Sequence, residues 1–229
     1  MFGHKKLNGP RLPPARGDAT HLVVLCHGYG ADGNDLLGLA PHWQSLLPTT
    51  AFVAPNAPER CPGAGYQWFA ISRLDPEEAR RGAESAASAL TDFLDAELKR
   101  LELPGDRLVL AGFSQGTMMA LHVGLRRAVP PLAILGFSGM LAAPPPPQQD
   151  RAPPVLLIHG DADTMIPVEA TIAAAAALGH AGIGVQFHLS PGLGHGIDAE
   201  GMDLGGRFLA MAVRGLLRPP AGGICCTVG

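Results

Sequence analysis

Charge is scarce in this chain. Asp, Glu, Lys and Arg make up only 16% of its 229 residues, and the formal net charge is −3. No basic block exceeds a pair such as Lys5-Lys6 or Arg80-Arg81, so the cationic footprint of a nucleic-acid binder is missing. Cysteine is equally sparse. The four residues, Cys26, Cys61, Cys225 and Cys226, form no C-x-x-C pattern, which argues against a disulfide scaffold and a zinc site and for a reducing, cytoplasmic setting. No apolar run approaches the length of a membrane span, and none follows Lys5 and Lys6, so neither membrane insertion nor a secretory signal is expected. What the chain does have is apolar content, 47%, enough for a substantial core in one medium-sized domain.

Short apolar runs alternate with helix-like segments along most of the length. Residues 1–19, rich in Pro, Gly and charge, read as an entry arm or edge segment, residues 20–218 as one domain and residues 219–229 as a flexible tail. Strands are expected at 21–26, 51–54, 107–111, 132–137, 155–158 and 185–189, with helices at 35–47, 77–101, 115–127, 168–180 and 202–217. Asp75 should cap the long 77–101 helix with Pro76 at its first position. This alternation describes an α/β fold: a mostly parallel sheet covered by helices on both faces, with no large lid domain.

The densest chemical signal is Leu108-Val-Leu-Ala-Gly-Phe-Ser114-Gln-Gly116, an apolar run ending in a glycine-flanked serine that opens a helix-like segment. A serine hydroxyl becomes a useful nucleophile when the backbone holds it proud and a base removes its proton. A sharp strand-to-helix turn does the first, with Gly112 and Gly116 permitting the close approach. Open α/β sheets gather reactive groups at the carboxyl ends of their strands, where three further loops are expected. The loop His159-Gly-Asp161-Ala-Asp163 offers two carboxylates to orient a base, Asp163 preferred, the competing role for either being a helix cap. His195, in a glycine-rich loop before the last helix, is the base expected from the order Ser–Asp–His. His122 and His188 read as packing residues, and His27 and His159 as shapers of their loops. Backbone N–H groups of Gln115 and of Tyr29, in His27-Gly-Tyr-Gly30, are the candidate oxyanion donors.

Five ordered motifs then resemble one family. His27-Gly-Tyr-Gly-Ala-Asp-Gly-Asn-Asp35, Pro55-Asn-Ala-Pro58 with Trp68-Phe69, Gly112-Phe-Ser-Gln-Gly116, His159-Gly-Asp-Ala-Asp163 with Pro167, and Gly194-His195 are similar to the phospholipase/carboxylesterase family, which includes the acyl-protein thioesterases. The resemblance runs from about residue 22 to residue 217. It implies an α/β-hydrolase fold and a serine esterase with Ser114, Asp163 and His195 as triad, Tyr29 and Gln115 as oxyanion donors, and no metal or cofactor. The expected partner is a small-molecule ester of a short or medium acyl group, with Leu36, Trp68, Phe69 and Leu74 as candidate walls of its pocket. An acyl-protein thioesterase or a lysophospholipase acting on longer chains is the alternative, and a homodimer stays open. The closing Gly222-Gly-Ile-Cys-Cys-Thr-Val-Gly229 has no place in the family pattern.

Overall fold

Strand residues here alternate between two apolar partners, and that alternation builds the molecule. The computed structural model describes residues 6–72, 75–147 and 152–217. The strands are β1 (Arg11–Leu12), β2 (His21–Cys26), β3 (Thr50–Val53), β6 (Leu108–Phe113), β7 (Ala133–Phe137), β8 (Val155–Gly160) and β9 (Val185–Ser190), which form one sheet in the order β1-β3-β2-β6-β7-β8-β9. Only β1 runs antiparallel to its neighbour. A short hairpin of β4 (Glu59–Arg60) and β5 (Tyr66–Gln67) stands apart.

Successive side chains of a strand point to opposite faces, so each central strand feeds two cores. Leu22, Val24 and Cys26 of β2, with Leu108 and Leu110 of β6, pack under α3 (Pro76–Arg100), α4 (Gln115–Gly124) and α5 (Glu169–His180). Their neighbours Val23, Leu25, Val109 and Ala111 face α1 (Gly33–Leu37), α2 (Ala40–Gln44) and α6 (Ala199–Val213). Covered on both sides, strands β2, β6, β7 and β8 are buried almost throughout.

Local chemistry sets the helix ends. Asp75 accepts the Glu78 N–H at 2.8 Å and Pro76 opens α3, as its sequence predicts. The helix expected over 35–47 is instead two short ones, because Asp32 and Asp35 form a reciprocal capping box that starts α1 early and the chain turns at Gly38 and Leu39 before Pro41 opens α2. The helix expected to reach residue 127 stops at Gly124. The expected entry arm is tied down in part: Arg11 of β1, together with Arg100, bonds the buried Glu97 carboxylate of α3. Burial pushes that carboxyl upward, but the two guanidinium groups outweigh it and hold its pKa below the ordinary value. Among the described residues no helix is long and apolar enough to cross a membrane. The tail with Cys225 and Cys226 lies outside the described residues.

Candidate active site

The carboxyl ends of β2, β6, β8 and β9 bring four loops together. At the end of β6, Ser114 adopts φ 55° and ψ −119°, in the left-handed half of the map that costs a non-glycine residue about 1–3 kcal/mol. Its surroundings hold it there. Ser114 N donates to Phe137 O at 2.8 Å, and Ser114 O accepts the N–H of Thr117 at 3.0 Å and of Met118 at 3.3 Å. Gly116 is required by close approach: a Cβ there would overlap the carbonyl oxygen of Cys26. The buried Thr117 hydroxyl lies 2.8 Å from the carbonyls of both Gly112 and Phe137, tying the turn to two strands.

His195 and Asp163 meet directly. His195 Nδ1 lies 2.7 Å from Asp163 Oδ2, so with the carboxylate ionised Nδ1 carries the proton and Nε2 keeps its lone pair. The other Asp163 oxygen accepts the N–H groups of Met165 at 2.8 Å and Ile166 at 3.0 Å. Burial pushes the Asp163 carboxyl up. The hydrogen bonds from His195, Ile166 and Met165 more than reverse this and hold it below its ordinary value. The imidazole of His195 lies against Phe113, the residue before Ser114, with ring centroids 4.9 Å apart. The Ser114 hydroxyl forms no hydrogen bond among the described residues, a common condition of sites without substrate.

Three anchors fix the loop that carries His195. Asp161 accepts Gly192 N–H at 2.6 Å, Ala162 N donates to Leu193 O at 3.0 Å, and Ser138 Oγ donates to Gly196 O at 3.0 Å. Neither Asp161 nor Asp163 caps α5, whose N-cap Val168 makes no side-chain bond. The loop passes so close to Gly160 that a Cβ there would strike Leu193 O.

On the other side, the loop after β2 packs onto the serine turn: a Cβ on Gly28 would sit 3.3 Å from Ser114 Cβ. The N–H groups of Tyr29 and Gln115 enter no hydrogen bond among the described residues. His27 is sealed from solvent and uses both ring nitrogens on backbone, with Nδ1 2.7 Å from Gly28 O and Nε2 accepting Ala57 N–H at 3.0 Å. Burial lowers its pKa, consistent with a neutral ring. The buried Gln115 side chain accepts Trp68 N–H at 2.9 Å and donates to Phe69 O at 2.8 Å.

The described candidate pocket walls are buried. Leu36, Trp68 and Phe69 are exposed by only 7%, 1% and 4% and are spent on packing. Leu36 lies in the core under α1, α2 and α6, while Trp68 and Phe69 join the core on the opposite face. Trp68 also donates its indole N–H to His27 O at 2.9 Å. Leu74 lies outside the described residues. A cavity of about 560 Å³ lined by His122, Arg126 and Val129 lies at the far end of α4 from Ser114.

Sequence comparison now adds to this geometry. The model of the phospholipase/carboxylesterase family matches residues 8–213. The chain belongs to that family. It is 30% identical over 218 residues to acyl-protein thioesterase 1 of Neurospora crassa, covering 85% of this chain and 87% of that protein. Among solved structures, esterase PE8 is 42% identical with a TM-score of 0.84, covering 93% of this chain and all of that one. Acyl-protein thioesterase 2 of Zea mays is 25% identical with a TM-score of 0.68, covering 90% and 99%. The fold is that of the α/β hydrolases, and the family is one of esterases and thioesterases.

Three supports of this site escaped the sequence reading: the Thr117 hydroxyl, the Ser138 hydroxyl and the Gln115 side chain. Only Gln115 stood inside a motif, where its backbone alone drew notice.

Proposed function

We propose that this chain is a serine carboxylesterase that hydrolyses esters of short to medium acyl groups through an acyl-enzyme. The observation that carries this reading is the His195–Asp163 hydrogen bond set beside a serine in the left-handed turn conformation. Ser114 Oγ attacks the ester carbonyl as His195 Nε2 takes its proton. Asp163 keeps the ring oriented and stabilises the imidazolium. The N–H groups of Tyr29 and Gln115, free of other partners, receive the oxyanion. His195 then protonates the departing alkoxide, which leaves as the alcohol, and water repeats the sequence to release the acid.

Likeness to acyl-protein thioesterase 1 of Neurospora crassa favours a second reading, in which the scissile bond is a thioester of a longer acyl chain. The chemistry is the same, with a thiolate as leaving group. The test is turnover of p-nitrophenyl esters of increasing acyl length and of matched acyl thioesters, with wild type and Ser114→Ala side by side. Ester turnover best at short chains and a loss of at least about 10³-fold in kcat in the variant are expected. Turnover undiminished in Ser114→Ala sinks both readings, and a preference for long-chain thioesters selects the second.

A further inference from the structure

His159 is a second imidazole on the same carboxylate. It sits one residue before the end of β8, its side chain and that of Asp163 both sealed from solvent, with Nε2 3.1 Å from Asp163 Oδ2. One ring proton is placed by its partner. Nε2 also lies 2.9 Å from Ile166 O, which can only accept, so Nε2 carries the proton. Thr171 Oγ1 lies 2.7 Å from Nδ1 and donates to Gly139 O at 3.5 Å. Its Nε2–H bonds Ile166 O and lies within ion-pair distance of Asp163 Oδ2.

An ionised carboxylate has about four lone-pair sites. In Asp163 three hydrogen-bond donors address them, the N–H groups of Met165 and Ile166 on Oδ1 and His195 Nδ1 on Oδ2, and His159 Nε2 stands 3.1 Å from Oδ2, at ion-pair distance. The Oδ1 donors come from its own loop and the His195 donor from the group being steered. His159 alone approaches Oδ2 from the sheet.

We propose that His159 is a positioning residue for the reaction at Ser114, holding Asp163 Oδ2 in line with His195 as the base gains and loses its proton. The inference rests on the esterase reading of Ser114. A carboxylate braced from one side only swings with the imidazole it should steer, which costs rate in the chemical step and leaves substrate binding untouched.

The test uses the full chain with His159→Phe, which keeps a ring but no donor, and His159→Gln, which restores an N–H near the Nε2 position. Both are assayed on a p-nitrophenyl ester, with active sites counted by a fluorophosphonate titrant so that misfolded protein is excluded. The expected result is a kcat per titrated site lowered about 10–100-fold in His159→Phe with KM within about twofold, and most of the loss recovered in His159→Gln. The low-field proton resonance of the His195–Asp163 hydrogen bond should shift or broaden in the Phe variant and return in the Gln variant. Should His159→Phe fail to fold, Thr171→Val, which frees the ring's other nitrogen, should show the same signature more weakly. An unchanged kcat per site and resonance in the Phe or Val variant overturns the proposal, as does Gln behaving no better than Phe. A silent wild type would instead overturn the esterase reading, and the resonance would still decide the role of His159.

Discussion

His27 and His159 stand at the carboxyl ends of two parallel strands in one sheet, each followed by glycine and each shut away from solvent. Their partners separate them. His27 spends one nitrogen on Gly28 O and the other on Ala57 N–H, backbone on both sides. His159 touches backbone at Ile166 O and also reaches the Asp163 carboxylate. The same dipeptide therefore meets two kinds of partner: backbone alone in one case, backbone and a carboxylate in the other. A histidine is informative only through what each ring nitrogen meets.

The comparison can be broken most forcefully at His27. His27→Ala leaves Ala57 N–H buried without a partner and opens a void beside Trp68, whose ring centroid lies 5.9 Å away. We expect a loss of about 2–4 kcal/mol in urea unfolding, against less than about 1 kcal/mol for His159→Gln. Equal losses at both positions would erase the distinction drawn here.

Acid should sharpen it next. His27 is neutral because burial lowers its pKa, and burial also lowers His21, aided by Arg107, and brings His122 down to about 4, aided by Arg126. In each case the unfolded chain takes up a proton before the folded one. Stability is whole above the ordinary value of 6.5 and is lost as pH falls from there through the folded values, about 4 for His122. Thermal melts from pH 7.5 down to 4 should show this decline, and His27→Gln should reduce its slope. A flat profile across that window would mean that these rings are charged when folded.

The smallest effect belongs to Asp161, whose carboxylate holds Gly192 N–H in the His195 loop. Asp161→Asn keeps the acceptor and should leave kcat within about twofold. Asp161→Ala releases one of three anchors and should lower kcat about two- to fivefold, measured on the same p-nitrophenyl ester. An equal loss in Asn and in Ala would point to the charge of Asp161 and not to its hydrogen bond.

The serine turn was legible because its demands are local. Gly112, Ser114 and Gly116 are spaced as a strand-to-helix turn needs, and the packing of Gly116 against Cys26 O explains the second glycine. The cap of α3 was legible for the same reason. The strand runs 21–26 and 155–158 were readable because strands buried on both faces lose their alternation and become continuous apolar stretches. What escaped depends on partners far along the chain. Asp161 and Asp163 are alike in composition and differ only in whether Gly192 or His195 comes to meet them, both about thirty residues away. Leu36, Trp68 and Phe69 sit near the site motifs in sequence, and their burial comes from core partners that the sequence does not show. Ser138 gave no signal, since a single hydroxyl bonding a distant carbonyl leaves no pattern in a sequence.

One consequence attaches to Gln115. Its side chain clamps residues 68 and 69, while its backbone N–H is the group assigned to the oxyanion. A survey that replaces side chains one at a time would read any defect in Gln115→Ala as loss of an oxyanion donor. Yet that N–H survives every substitution except proline, and the defect would report a loosened loop. Removing the donor itself requires editing the main chain, for example by an ester in place of the amide between Ser114 and Gln115.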